Sequence, residues 1–307
     1  MRLKSLLVAA MTAAISNCAL ADGPVAAQSL FANLTSAGKS LRVKEKDALV
    51  VRTLVRGMYA VLDFKGNFVT YVNHDGSLYG NKHGLYVFPK RGAAPKRMTT
   101  EQLAAFRLEV VAAIDRDALI KVVYGNGGDR NRTVLFSAID CSVCHQLEKN
   151  LAQPGRNEVF YVVPSSMETT EGEGLEEWDT VAKIWCAKDK GRAWRNYMMG
   201  QAVPPSGQCA FSNPAIAQSA YIHLTSILRN AGGLDITGFP GFVFEDGTLV
   251  LGAEGALKQA SPSAAKANWL PSASSPSSPM GLPADAFRPL PVRDIRNPYF
   301  QKRSFQE

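Results

Sequence analysis

The 307-residue sequence lacks two features that mark common functional classes. After the N-terminal region, no apolar run approaches the roughly 20 residues that a membrane-spanning helix needs. No compact block of lysine and arginine accompanies the formal charge of +7. We therefore expect no transmembrane helix and no nucleic-acid partner, and the charge indicates solubility or a mild preference for acidic surfaces.

Cysteine is scarce, with five residues in the chain, and Cys141 and Cys144 form the single Cys-x-x-Cys pair. A structural zinc site needs two more ligands at similar spacing. Cys186 and Cys209 are too far apart in sequence to form a second such pair, so the sequence disfavours zinc. We expect neither a bound metal nor a cofactor.

Residues 1–21 resemble a cleavable signal peptide, which predicts export. Arg2 and Lys4 precede an apolar segment, and Ala19-Leu20-Ala21 has the small residues of a cleavage site. Lipid attachment at Cys18 is a second interpretation, which the preceding asparagine disfavours. Cleavage removes Cys18 and leaves four cysteines, an even number that predicts pairing in an oxidising compartment.

The Cys-x-x-Cys pair lies where a strand turns into a helix. Residues 133–136 are rich in β-branched and aromatic side chains and predict a strand, and a helical pattern starts at Cys141. The amide groups and dipole of a helix N-terminus favour an anion, so Cys141 should ionise more easily than a free thiol. We interpret Cys141 as a nucleophile that forms mixed disulfides and Cys144 as the thiol that resolves them.

Two other interpretations of this segment remain open. Cys141 to His145 also fits the Cys-x-x-Cys-His attachment pattern of c-type haem, although a preceding strand and a helix starting at Cys141 disfavour it. An inert disulfide is the second alternative, but so tight a loop is labile. If Cys141 and Cys144 are the redox pair, Cys186 and Cys209 remain as a structural bridge, worth about 3 kcal/mol.

The N-terminal half predicts a small α+β unit followed by a helix. In residues 22–97 we expect one helix and four strands, and so small a sheet favours docking on a second copy. In residues 98–118, Thr99 and Gln102 fit a capping box. This helix is either a linker or the first helix of the next domain. The predicted helix spans 25–34 and the strands span 48–54, 58–62, 68–72 and 85–88.

Residues 119–258 follow the plan of the thioredoxin fold with a helical insertion: strand, helix, strand, helices, hairpin. Pro164 is expected to end the second strand, and Pro240 precedes a strand that should be central, where proline is normally excluded. A cis peptide at Phe239–Pro240, facing the cysteines, explains that proline, and an ordinary strand-start proline is the alternative. The remaining predicted elements are a strand at 159–163, helices at 176–186, 191–199 and 214–230, and a hairpin at 236–251.

Over residues 22–258 the chain resembles the DsbC/DsbG family of periplasmic disulfide isomerases. Four segments carry the resemblance: GMYAVLDFKGNFVTYVNHDGSLYG, FSAIDCSVCHQL, IWCAKDKGRAW and GFPGFVFEDGTLVLG. It implies a V-shaped periplasmic homodimer in which a cystatin-like N-terminal domain, a linker helix and a thioredoxin-like catalytic domain follow one another. The implied partners are misfolded disulfide-containing exported proteins, held on an apolar cleft with chaperone activity, and a DsbD-type membrane thiol reductase.

The resemblance also implies roles for individual residues. Cys141 and Cys144 match the redox pair, followed by His145, while Cys186 and Cys209 match a structural disulfide. Pro240 matches the cis-proline that contacts substrates, together with the preceding Phe239.

Several positions depart from the family pattern. Ser142-Val143 stands where the family's isomerases carry Gly-Tyr, and Phe239 replaces the usual threonine. Asp140 should raise the pKa of Cys141, whereas a protonated His145 should lower it. An oxidase, a reductase or an isomerase of narrow specificity therefore remain alternatives to a general isomerase, as does a client-binding chaperone or assembly factor for a secretion or conjugation apparatus.

Residues 259–307 lie outside the resemblance. They contain eight of the seventeen prolines, with much serine and alanine, and we interpret them as a flexible extension. Aromatic and basic residues near the end favour a docking peptide for an unknown partner, and a solvated tail without a role is the alternative.

Overall fold

The computed structural model describes residues 22–81, 84–127, 133–170 and 172–253. Among them, contacts divide the chain into two compact units. The first comprises residues 22–53 and 57–98, and the second comprises residues 54–56 and 99–253. The predicted signal peptide and the predicted C-terminal extension lie outside the described residues.

The first unit is an antiparallel sheet of six strands in sequence order, with one long helix and a single 3-10 turn. Leucine, valine and tyrosine are frequent in these segments, and β-branched and aromatic residues favour strands. Its elements are α1 (Asp22–Ser36), the 3-10 turn (Glu45–Asp47), β1 (Leu49–Arg52), β2 (Met58–Leu62), β3 (Phe68–Asn73), β4 (Leu78–Asn81), β5 (Gly84–Val87) and β6 (Lys96–Arg97).

The core of this unit lies between α1 and the sheet. Ala26, Leu30 and Leu34 recur every four residues, so they form one stripe along the helix, and all three are buried. They belong to one cluster with Tyr59 and Val61, alternate residues on the inner face of β2. The period-4 stripe and the period-2 strand pattern therefore meet in a single apolar layer.

The sequence predictions for this unit are largely confirmed. The helix and all four predicted strands are present. Gly66 and Gly76 adopt positive φ angles of 89° and 70° in the turns that follow β2 and β3. Two strands escaped prediction: β4, where Gly80 weakens the strand pattern, and β6, which has just two residues, both basic.

The second unit is a mixed five-stranded sheet in the order β11-β10-β8-β9-β7. The central β8 runs parallel to β9 and antiparallel to β10, and β7 and β11 form the antiparallel edges. The strands are β7 (Ile120–Val123), β8 (Val134–Ala138), β9 (Val159–Ser165), β10 (Gly241–Val243) and β11 (Leu249–Leu251).

Five helices belong to this unit. The predicted helices are confirmed to within two residues at each end, except that the helix predicted over residues 98–118 stops at Ala113. Thr99 and Gln102 form the predicted capping box at the start of α2, which packs on α6. The helices are α2 (Thr100–Ala113), α3 (Ser142–Leu151), α4 (Leu175–Trp185), α5 (Lys190–Met198) and α6 (Pro214–Asn230). The mixed α+β class and the thioredoxin plan with a helical insertion are thus confirmed.

The expectation that Pro164 ends its strand was wrong, since β9 continues through it to Ser165. Tyr161 donates its amide to Thr133, and the Ser165 carbonyl accepts from Ile139, so these alternate residues face β8. Pro164 therefore faces the β7 side, where pairing stops at Val162. Its missing N–H costs no ladder hydrogen bond there.

Within the described ranges, no helix combines the length and apolar character needed to cross a membrane.

Candidate functional site

The central strand and the helix after it position the two cysteines. All five residues of β8 are buried, which anchors the strand between β9 and β10. Cys141 is the N-cap of α3, and its sulfur accepts a hydrogen bond from the Cys144 amide at 3.2 Å. The two sulfurs are free thiols 2.6 Å apart. A reversible bond between them therefore needs little movement of either side chain.

The two thiols differ in exposure and in acidity. Cys141 keeps 8% of its surface exposed, whereas Cys144 has none, so Cys141 is the sulfur that an outside molecule reaches. Burial, followed by the contact with Cys141, raises the pKa of Cys144 to about 12. The backbone amide of Ala138 and the hydroxyl of Ser137 act in the opposite direction on that pKa.

The loop before β10 lies against Cys141. The peptide bond between Phe239 and Pro240 is cis, and the Phe239 carbonyl oxygen is 3.9 Å from the Cys141 sulfur. The pairing of Gly241 with Phe136 on β8 fixes this approach, because it joins the loop to the strand that carries the cysteines. Pro240 is buried and Phe239 is half-buried. The structure thus brings together Cys141, Cys144, Phe239 and Pro240.

His145 lies beside the pair and contacts two backbone carbonyls. Its Nδ1 is 2.8 Å from the Met198 oxygen and its Nε2 is 2.7 Å from the Ile139 oxygen. A neutral imidazole has one N–H and donates to one of these oxygens, whereas the doubly protonated ring donates to both. Each ring nitrogen of His145 thus has a backbone oxygen within hydrogen-bonding distance.

Asp140 precedes the nucleophile but is tied to the end of β9. Its carboxylate accepts hydrogen bonds from the Ser166 hydroxyl at 2.9 Å and from the Met167 amide at 2.8 Å. These contacts hold the corner between β8 and α3 against the neighbouring strand. The predicted effects of Asp140 and His145 on the pKa of Cys141 stay predictions.

A buried carboxylate that the sequence analysis did not single out stands one turn after Cys144. Glu148 is 1% exposed, accepts from the Tyr124 hydroxyl, and accepts from the Trp194 indole N–H at 2.6 Å. It therefore links α3 to α5 and to the end of β7. Its signal was available: Cys144, Leu147 and Leu151 mark the buried face of α3, and Glu148 falls on the same face.

An open cleft of about 460 Å³ borders the nucleophile on the side of α3 and α5. It offers both apolar surface and charge. The side chains of Met167 and Val143 add exposed apolar surface near the same corner, at 56% and 48% exposure. The cleft is lined by Asp140, Ser142, His145, Gln146, Lys149, Met198, Met199 and Gly200.

Cys186 and Cys209 form a disulfide. Cys186 is the C-cap of α4, and the adjacent Trp185 stacks on Phe211 with ring centroids 4.1 Å apart. The Trp185 indole also donates to the Ala118 carbonyl at 2.7 Å. This second pair of cysteines thus sits in a packed aromatic cluster.

The second unit combines three features: a parallel strand pair flanked by an antiparallel hairpin, two thiols at a helix N-terminus, and a cis-proline loop opposite them. This combination defines a thioredoxin-like thiol–disulfide oxidoreductase. Residues 119–266 match the thioredoxin-like domain family. The chain is similar to the thiol:disulfide interchange proteins named DsbC.

Two of the similar curated proteins with that name show the extent of the likeness. The protein of Escherichia coli strain K12 is 26% identical over 251 residues, which cover 81% of this chain and 90% of the relative. The protein of Salmonella typhimurium is 25% identical over 66% of this chain and 74% of its own length. A crystal structure of a disulfide interchange protein from Neisseria gonorrhoeae is 25% identical, with a TM-score of 0.35, and covers 47% of this chain and 96% of its own.

Proposed function

We propose that this protein is a disulfide isomerase of exported proteins, with Cys141 as nucleophile and Cys144 as resolving thiol. The observation that carries the proposal is the position of the Cys141 sulfur. It is the more accessible of the two thiols, it caps α3, and it lies between the Cys144 amide and the Phe239 carbonyl. A thiolate there accepts the helix N–H and faces the loop along which a client strand can lie.

In the first step, the Cys141 thiolate attacks a wrong disulfide of a client. One client sulfur becomes bonded to Cys141, and the other leaves as a thiolate that takes up a proton. The mixed disulfide then has two fates. A second client thiolate can displace Cys141 and form a new client disulfide, or Cys144 can displace the client and leave it reduced.

The weak acidity of the Cys144 thiol favours the first outcome, in which a second client thiolate displaces Cys141. With its pKa raised to about 12, little of this thiol is ionised near pH 7. Burial is the larger cause of this value, and burial does not depend on whether Cys141 carries a client. Slow resolution by Cys144 prolongs the mixed disulfide, which gives client thiols time to rearrange. This supports isomerisation over simple reduction.

Apolar contacts around the pair suit an unfolded client. Val143 and Met167 expose apolar side chains, and Phe239 and Pro240 form the loop opposite the nucleophile. We expect client segments to cross this corner, with Phe239 and Pro240 contacting the client chain. Chaperone activity on such segments belongs to the same proposal.

The proposal extends to compartment and partners. A periplasmic location and a DsbD-type reductant would keep Cys141 and Cys144 reduced beside an oxidised Cys186–Cys209 pair. A homodimer is supported by β1, whose Leu49, Val50 and Val51 lie on an edge strand that pairs on one side only among the described strands. Such an edge favours pairing with another chain.

Refolding of a scrambled, disulfide-bonded client tests the catalytic roles. We expect Cys144→Ala to retain most isomerase activity, because Cys141 alone can form and lose mixed disulfides, while net reduction of the client by glutathione-recycled enzyme is lost. Cys141→Ala should abolish both activities. Ser142→Ala, an exposed position between the cysteines, serves as the matched control.

Two outcomes would redirect the assignment. An enzyme that needs both cysteines equally for refolding, and that works best on reduced clients, is an oxidase. A Cys141→Ala variant that still prevents client aggregation without shuffling disulfides has a chaperone function that is independent of the thiols.

A further inference from the structure

The ring of His145 is aimed at two backbone carbonyl oxygens that come from different elements. Ile139 follows the last residue of β8, and Met198 is the last residue of α5. The Ile139 oxygen lies 2.7 Å from Nε2, and the Met198 oxygen lies 2.8 Å from Nδ1. Both distances are typical of hydrogen bonds that a charged N–H donates.

A neutral ring cannot satisfy both of these contacts. A carbonyl oxygen only accepts hydrogen bonds, so each contact needs a proton on the ring nitrogen. A neutral imidazole carries one N–H, and its other nitrogen is itself an acceptor. Whichever tautomer it adopts, one nitrogen would face a carbonyl oxygen with no proton between the two acceptors. The doubly protonated ring donates to both oxygens.

The position of Met198 gives a second reason for a positive charge. The last carbonyls of a helix have no partner within the helix, and the helix dipole places partial negative charge there. Because Met198 is the last residue of α5, the His145 ring lies at the negative end of that helix. A cation is favoured at this end, and its N–H satisfies the Met198 carbonyl.

The charged and titratable groups around the ring come from the corner after β8, from α3 and from α5. Asp140 and Lys149 line the same cleft as His145. Burial raises the pKa of Glu148, and the charge of His145 acts against that increase. The Tyr197 ring centroid is 6.4 Å from that of His145, and burial raises the pKa of Tyr197, so the phenol stays neutral. Asp140 and an ionised Glu148 favour the protonated ring, whereas Lys149 opposes it.

We propose that His145 is doubly protonated at neutral pH and is a positioning residue for Cys141, donating to the Ile139 and Met198 carbonyls together. Its backbone amide also donates to the Cys141 carbonyl at 3.1 Å. These contacts hold the segment from Ile139 to Cys141 at both of its ends and tie it to α5. Loss of the ring proton releases one oxygen, so the tie depends on pH. The positioning role rests on the proposed function, whereas the protonation state can be measured without a client.

Nuclear magnetic resonance of the reduced, ¹⁵N-labelled full-length protein measures the protonation state. The two ring nitrogens have similar chemical shifts in an imidazolium and well-separated shifts in a neutral ring. We expect the imidazolium pattern for His145 at neutral pH, assigned by its loss in His145→Gln. Burial lowers the pKa of His223 to about 4, so that ring should give the neutral pattern in the same spectrum.

Reaction with dithiobis(nitrobenzoate) measures the positioning, because the first thionitrobenzoate is released when Cys141 attacks the reagent. His145→Gln mimics the neutral ring, since its amide is uncharged and donates to one carbonyl. We expect it to slow this release several-fold at about pH 6, and we expect the difference to fade toward about pH 9, where the wild-type ring has also lost its proton. His145→Asn should behave alike, and His74→Gln, the same change in the first unit, is the matched control.

A neutral pattern for His145 at neutral pH would overturn the proposal. So would a His145→Gln variant that slows the first release equally at both pH values, as a merely structural role predicts, or one that does not slow it at all. Failure of the proposed function has a different signature. If Cys141 is not the nucleophile, the first release persists in Cys141→Ala, and the spectrum of His145 is the same.

Discussion

The carboxylate of Glu148 is buried in the second unit and accepts hydrogen bonds from two side chains. The Tyr124 hydroxyl and the Trp194 indole N–H each donate to a different carboxylate oxygen. Burial raises the pKa of Glu148, and the two hydrogen bonds act against that increase. One side chain thus joins three elements behind the redox pair, so its loss should be measured as stability rather than as chemistry.

Replacing Glu148 with leucine leaves both donors without an acceptor. Each buried, unsatisfied donor costs about 1–3 kcal/mol, so we expect Glu148→Leu to lower the free energy of unfolding by about 2–4 kcal/mol. Glu148→Gln should cost about 1 kcal/mol, because the amide oxygen still accepts from Trp194 while the tyrosine hydroxyl turns to accept from the amide nitrogen. Urea unfolding measures both, and the exposed Glu176→Gln is the matched control.

The same residue predicts a dependence on pH. Burial raises the pKa of Glu148 in the folded state above its ordinary value of 4.5. Above pH 4.5 the folded protein therefore keeps the proton on the Glu148 carboxyl, whereas the unfolded chain releases it. The stabilisation of the folded state that comes from this proton is complete below pH 4.5 and is lost as pH rises through the raised pKa. The cost of Glu148→Gln should accordingly be larger at about pH 4 than at about pH 7. An equal cost at both values would contradict this account.

The catalytic segment was predictable because its signals are local. A β-branched run, a cysteine at an N-cap and an apolar stripe specify β8 and α3 without reference to the rest of the chain. Pro240 was informative for the same reason, since a proline before a central strand breaks a local rule. Such local patterns predict the structure of their segment without knowledge of the tertiary contacts.

What escaped prediction depends on distant contacts. β7 is an edge strand of four residues whose two outward positions are exposed, so its pattern is short and half polar. Pro164 is tolerated inside β9 because the pairing of β9 with β7 stops before it. The end of that pairing cannot be predicted from the local sequence. The position of Glu148 on the buried face of α3 could be predicted from the sequence, but its partners Tyr124 and Trp194 lie in other elements and could not.

The disulfide between Cys186 and Cys209 joins the end of α4 to the segment before α6. The two residues are 23 apart in sequence, and a closed loop of that size should stabilise the fold by about 3 kcal/mol. We expect the double variant Cys186→Ala, Cys209→Ala to lose about that much free energy of unfolding in urea. Trp185 and Phe211 remain in place, so the aromatic stack is retained.

The redox pair supplies the control for that variant. Cys141 and Cys144 lie at the start of a different helix. The folded double variant should therefore still react with dithiobis(nitrobenzoate) in two phases, first by attack of Cys141 and then by resolution through Cys144. Unchanged stability would show that the disulfide constrains little of the unfolded chain. Loss of both reaction phases would show that the bridge organises the site rather than only the helices that it joins.

The two compact units have separate cores and differ in their cysteine content. The first is built around α1 and an antiparallel sheet, and it carries no cysteine among its described residues. The second holds all four described cysteines, in two pairs of different state. Thiol chemistry therefore belongs to the second unit, and the proposed role of the first is association with another copy.

The state of the four cysteines in the cell follows from the direction of the reaction. An isomerase starts from a free nucleophile, so we expect Cys141 and Cys144 to be reduced in the cell and Cys186 and Cys209 to be bonded. Alkylation at the moment of lysis, followed by intact mass measurement, should find two labels per chain, and peptide mapping should place them on Cys141 and Cys144.

Native mass measurement of the same labelled sample should find two chains per particle, because the proposed role of the first unit is dimerisation. A chain without labels would identify a pair that rests oxidised, as an oxidase requires, and four labels would place the protein in a reducing compartment. Two labels on a monomer would retain the isomerase chemistry and remove the dimer from the proposal, which separates the thiol function of the second unit from the association assigned to the first.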